Sequence, residues 1–97
     1  MTTRELKTKI SDLQNEAADL EASFFYAVVR YLSTIIDVVG CNADHTEGKA
    51  CLEEINSYYD SDTDLVTIEY VIMNKYGDFI ENKEIRVSSS EIDKYIV

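Results

Sequence analysis

The chain has 97 residues, 45% of them apolar, with 19 Asp and Glu against 9 Lys and Arg. That length supports one modest hydrophobic core and not two, and the apolar fraction excludes a disordered acidic tail. A net charge of −10 argues against direct nucleic-acid binding, which needs positive charge to displace counterions, and against docking on an anionic membrane; a basic partner surface is the natural complement, with solubility as the plainer explanation.

Residues 1–9 carry Arg4, Lys7 and Lys9 with no uninterrupted apolar run behind them, which is not the pattern of a secretory leader. The most apolar stretch, 24–39, is broken by Arg30 and Asp37 and is too short to span a bilayer. Two cysteines, Cys41 and Cys51, are too few for a disulfide scaffold. The expectation is therefore a single domain over residues 1–97, in the cytoplasm, with reduced thiols.

Thr2-Thr3-Arg4-Glu5 reads as a helix N-cap with an acid in the first turn. Apolar or small residues then recur at Leu6, Ile10, Leu13, Ala17, Leu20, Phe24, Ala27 and Tyr31, a four–three spacing that makes a helix seam. The pattern runs on through Ile35 and Val38 to Gly40, and predicts either one long helix or two helices bent near Ser23. A straight helix of that length would measure roughly 54 Å. From Phe24 the apolar face widens to Phe25, Val28, Val29, Leu32 and Ile36, which marks the most buried part of the chain.

Residues 41–46 read as a loop. Thr46 is placed to cap a second helix over about 47–59, burying Ala50, Cys51, Ile55 and Tyr58 or Tyr59. Residues 65–73 alternate Val66, Ile68, Tyr70 and Ile72 against Thr67, Glu69, Val71 and Met73, the two-residue period of a strand. Asn74-Lys75-Tyr76-Gly77-Asp78 predicts a hairpin turn with Gly77 at positive φ. Residues 79–87 return as a second strand, and Ser88-Ser89-Ser90-Glu91 offers a capping box for a short helix over 90–96. The fold class is α+β: a long N-terminal helical region, a second helix, an antiparallel hairpin and a short C-terminal helix.

Asp60, Asp62 and Asp64 match positions 1, 3 and 5 of an EF-hand loop, but Leu65 stands where glycine is needed and Val71 where glutamate is needed. Cys41, His45 and Cys51 offer irregular zinc-ligand spacing, without the paired knuckles of a structural site; buried thiols and a loop histidine are the simpler account. The chain has one histidine and none of the nucleophile, P-loop, dinucleotide or zinc-protease motifs. No metal, no cofactor and no catalysis are expected.

The acidic surface is the informative feature. On a helical wheel Glu5, Asp12, Glu16 and Asp19 share a band away from the apolar seam. Residues 44–64 hold Asp44, Glu47, Glu53, Glu54, Asp60, Asp62 and Asp64 against Lys49 alone. Like charges at such spacings repel, so both rows cost stability. Rows of carboxylates a few ångströms apart resemble the phosphate rows of DNA and suit a groove lined by Lys and Arg.

In length, in its opening MTTRELKTKISDLQNEAADLEASFFYAVVRYL and in its acid-rich middle, the chain resembles the small acidic anti-CRISPR proteins of phages and prophages. The resemblance is to DNA-mimicking inhibitors of the type I-F surveillance (Csy, or Cascade) complex. It covers the whole chain and rests on no diagnostic motif. It implies a protein of the bacterial host cytoplasm that occupies the target-DNA site between the large subunit, its small-subunit neighbour and the backbone, with no direct nucleic-acid or membrane binding. The residues expected to meet the basic surface are Asp12, Glu16 and Asp19 in one row and Glu53, Glu54, Asp60, Asp62 and Asp64 in the other. Tyr58, Tyr59 and Tyr76 are candidates for aromatic contacts at its edge. Whether the chain is a monomer or a dimer is open. The alternatives are an immunity protein or antitoxin that neutralises a basic nuclease, and an acidic coiled-coil adapter dimerising through residues 3–38.

Overall fold

Thr2 opens the first helix. Its hydroxyl accepts from the Glu5 backbone N–H and donates to the Glu5 carboxylate, both at 3.1 Å, so its side chain caps the helix start. In the computed structural model, which describes residues 1–12 and 18–96 without the side chains of Asp12 and Ala18, helix α1 spans Thr3–Asp12 and α2 spans Ala18–Leu32. Leu13, Ala17 and Glu16 lie outside the described residues. The helical region is two helices, and Ser23 lies within α2. The ammonium of Lys7 sits 3.9 Å from the ring centroid of Phe24. In one straight helix those residues would be about 25 Å apart along the axis, so α1 packs back against α2.

The helix ends at Leu32, earlier than its apolar spacing suggests. The hydroxyls of Ser33 and Thr34 donate to the carbonyls of Val29 (2.8 Å) and Tyr31 (2.7 Å), and the backbone tightens to bonds of Thr34 on Tyr31 and Ile35 on Leu32. Beyond lie β-branched residues suited to a strand, and Val38–Val39 forms β1.

The expected helix over 47–59 does not form. Thr46 is no cap: its hydroxyl is turned to the carbonyl of Asn74 at 2.6 Å. Gly48 has φ 74°, outside helical geometry. Strand β2 (Ala50–Cys51) runs parallel to β1, a short 3-10 turn covers Leu52–Glu54, and β3 covers Asn56–Asp60. In β3 only Ser57 and Tyr59 are partly covered while Asn56, Tyr58 and Asp60 are exposed. That two-residue alternation marks a strand, and the four–three spacing of Cys51, Ile55, Tyr58 and Tyr59 hid it.

Strand β4 (Leu65–Met73) matches the sequence reading, as does its hairpin partner β5 (Phe79–Ser88). In the turn between them the Asn74 side chain accepts from the N–H groups of Tyr76 and Asp78, and Gly77 has φ 83°. Helix α3 is shorter than expected, Ser89–Asp93, with Ser88 as its N-cap.

β4 is central to a mixed five-stranded sheet. One edge pairs with β5; the other pairs with β3 over Leu65–Glu69 and with β2 at Ile72. β2 and β3 are therefore two pieces of one interrupted strand, and β1 lies outside β2. All three helices cover one face. Leu6, Phe24, Ala27, Val28, Leu32 and Ile92 meet Val66, Ile68 and Ile55 in the core. Among the described residues, the apolar positions Leu6, Phe24, Ala27, Val28 and Leu32 of the helical region are spent on this internal core.

Candidate charged interface

The turn from β3 to β4 carries Asp60, Asp62 and Asp64, and the three are not equivalent. The Asp60 carboxylate accepts from the Asp62 backbone N–H at 2.9 Å, an Asx turn that reverses the chain. Asp64 adopts φ 57°, a left-handed conformation that aspartate tolerates. Its carboxylate accepts from the Tyr59 hydroxyl and lies 3.4 Å from the Arg4 guanidinium, which also donates to the Ser61 carbonyl at 3.1 Å. The Tyr59 bond, aided by Arg4, holds the Asp64 carboxyl below its ordinary range. Burial, with the same bond, raises the Tyr59 phenol. Asp64 fastens the turn to α1, whereas Asp62 enters no side-chain hydrogen bond or ion pair among the described residues.

Glu53 and Glu54 occupy the 3-10 turn and diverge. The Glu53 carboxylate accepts from the Cys41 N–H at 2.9 Å and touches the Cys51 sulfur at 3.3 Å, so it organises the 40–51 loop. Glu54 lines a shallow cleft together with Glu69, Glu84, their strand neighbours Asn56, Tyr70, Val71 and Asn82, and one cation, Lys83, which pairs with Glu81 at 2.9 Å. The strand register puts Asn56 opposite Glu69, and Glu69 opposite Glu84. Two carboxylates, Glu69 and Glu84, thus stand on adjacent strands roughly 4.8 Å apart, with the Asn56 amide next in line on β3. Glu84 is partly offset by Arg86 at 3.8 Å. Asp60 borders a second shallow cleft on this face with Leu65, Thr67 and Arg86, and the exposed Tyr58 stands between the two.

Glu69 and Glu84 were missed by sequence reasoning, for a definable reason. Met73 pairs with Phe79 and Ile72 with Glu81, so Ile80 is an extra residue in β5. Without that bulge Glu69 would face Lys83. The bulge aligns Ile85 with Ile68 and Val87 with Val66, and the apolar pairing on the core face sets the register. The like-charge pair on the opposite face is its by-product.

Of the expected N-terminal row only Asp19 has a described side chain. Asp12 ends α1 with its side chain outside the described residues, and Glu16 is wholly outside them. Asp19 is exposed in the first turn of α2 with Glu21, where acids interact favourably with the helix dipole. Glu5 belongs to the α1 cap. Because α1 lies back on α2, Glu5 and Asp19 do not share a straight helix face.

Cys41 and Cys51 form a disulfide, which corrects the expectation of reduced thiols; β1 delivers Cys41 just after Gly40, beside its partner on β2. Residues 65–73 form β4, so no EF-hand loop runs through them, and Asp64 is already held by Tyr59 and Arg4. Of the three tyrosines considered for the interface, Tyr59 faces inward, Tyr58 is 56% exposed and Tyr76 is 76% exposed at the hairpin tip. Among the described residues no helix is long and apolar enough to cross a membrane. Comparisons with protein-family models, curated proteins and solved structures give no match to this chain.

Proposed function

We propose that this chain is a non-enzymatic inhibitor that presents carboxylates as DNA presents phosphates, and blocks target-DNA binding by a type I-F surveillance complex in the bacterial host cytoplasm. The observation that carries the electrostatic part is the sheet face on which Glu69 and Glu84 stand side by side, with Glu54 lining the same cleft and Asp60 and Asp62 at the adjoining turn. These groups are anchored on strands and a tight turn, so little ordering is lost when a basic groove closes on them. The choice of complex comes from the whole-chain resemblance. Asp64 and Glu53 leave the contact set and become residues that hold its shape; Glu69 and Glu84 join it.

The test is a pulldown with purified type I-F complex, with and without target DNA, followed by DNA competition. Binding that target DNA abolishes supports the proposal; no binding, or binding indifferent to DNA, removes it. An immunity protein would instead inhibit an isolated basic nuclease and leave the surveillance complex free.

A further inference from the structure

The donors around the Cys41–Cys51 bridge form a second constellation, separate from the acidic face. The two Sγ atoms and a carboxylate oxygen of Glu53 lie within 4.8 Å of one another. Each is held by a different element. Cys51 is fully buried on β2, between β1 and β4. Cys41 follows β1, and Glu53 sits on the 3-10 turn with its carboxylate oriented by the Cys41 N–H. A Cβ at Gly40 would lie only 3.3 Å from Glu53 Oε1, so the glycine leaves the room that the carboxylate occupies.

We infer that reduction of this disulfide turns the cluster into a binding site for one zinc ion, with Cys41, Cys51 and Glu53 as ligands. A dithiol reductant supplies two electrons and two protons and is itself oxidised to a disulfide; the Cys41–Cys51 S–S bond breaks and two S–H bonds form. Zinc then displaces both thiol protons to water, giving two Zn–S bonds. Glu53 adds a Zn–O bond, and water completes the tetrahedron. Zinc–sulfur bonds of about 2.3 Å and zinc–oxygen bonds of about 2.1 Å put tetrahedral S···O neighbours at roughly 3.6 Å and S···S neighbours at roughly 3.8 Å. Glu53 Oε2 already stands 3.3 Å from Cys51 Sγ, so the carboxylate needs only a small shift and the sulfurs need to part. A backbone N–H oriented on a ligating carboxylate is the outer support such sites use. His45, the ligand suggested by sequence spacing, is exposed and outside the group.

The experiment reduces the full chain with a dithiol, removes the reductant without oxygen, and titrates Zn²⁺ and Co²⁺. The expected result is one ion per reduced chain, a thiolate-to-cobalt charge-transfer band, and no binding to the oxidised chain. Cys41→Ser should lose the band. Glu53→Gln, which keeps both cysteines, should bind at least tenfold more weakly, and His45→Ala should bind as wild type, with circular dichroism reporting the fold of each. Equal zinc binding by oxidised and reduced chains, or a reduced chain that takes up no ion, overturns the inference. So does wild-type affinity in Glu53→Gln, or loss of the ion in His45→Ala.

Discussion

The hydroxyl of Tyr59 donates to the carboxylate of Asp64, across the turn that reverses β3 into β4. This bond takes one aspartate out of an apparent charge row and makes it a clasp. It also makes the turn pH-sensitive at both extremes. Asp64 has a folded pKa below the ordinary 3.8, so its contribution is present above the unfolded value and is lost as pH falls through the folded one. Tyr59 has a folded pKa above the ordinary 10.0, so its contribution is present below that value and lost as pH rises through the folded one. Denaturant unfolding across pH should show both losses, and Tyr59→Phe should reduce both. An unchanged acid limb in Asp64→Asn would show that Asp64 plays no such part.

The Glu69–Glu84 pair makes an opposite prediction for stability and for binding. Like charges directly opposite on a sheet are destabilising, with cross-strand pairs worth about 0.2–1 kcal/mol. Glu69→Gln should therefore stabilise the chain by up to about that amount in urea unfolding at low salt, with a smaller gain at high salt. The same substitution should weaken capture of the surveillance complex. A destabilised Glu69→Gln would contradict the repulsive reading.

Charge reversal separates the turn acids. Asp62→Lys should leave thermal unfolding within about 0.5 kcal/mol of wild type, as surface changes usually do, and should reduce DNA competition. Asp64→Lys should lower the unfolding midpoint, because it places a second cation beside Arg4 and removes the Tyr59 acceptor. Equal stability losses in the two variants would show that the turn does not divide in this way.

The hairpin turn packs on the disulfide loop at Gly77. Its φ is 83°, and an added Cβ would meet the Cys41 carbonyl oxygen at 3.2 Å. Gly77→Ala should cost about 1–3 kcal/mol from the strained conformation, read as a lower urea midpoint with an unchanged slope.

Ile68 is fully buried at the centre of β4 and faces Ile85 across the ladder. Ile68→Ala should cost about 2–5 kcal/mol, by the same measurement. A cost below 1 kcal/mol would mean that the helices close over the cavity.

Much of the fold is written in local signals. The Thr2 cap, the β4 alternation, the Asn74–Asp78 turn and the Ser88 cap are each set by residues within eight positions of one another, and all four form. The errors fall where one pattern serves two structures. Ile35, Val38 and Val39 continue a helical spacing and are also good strand formers; Ser33 and Thr34 decide the matter by bonding back to the helix. Residues 50–60 pair with strands up to 22 positions away, a cost and a reward that no local window contains. Of the proposed site, the sign of the charge was legible in the sequence and the ties between its side chains were not. Acidity was plain, whereas the tie of Asp64 to Arg4, that of Glu53 to the Cys41 N–H and the pairing of Glu69 with Glu84 depend on partners distant in sequence and on the single bulge residue Ile80.

Thr3 donates to the Asp93 carboxylate through its backbone N–H at 2.6 Å and its hydroxyl at 2.7 Å. The first helix is thus anchored by one of the last residues described, 90 positions along. During synthesis α1 emerges early yet lacks its anchor until α3 has left the ribosome. Its docking belongs late in folding, and a chain truncated before Ser89 would leave Leu6 without the Ile92 side of its pocket. Contacts this far apart in sequence close slowly, so the place of α1 in the core is held open until α3 is there to receive it.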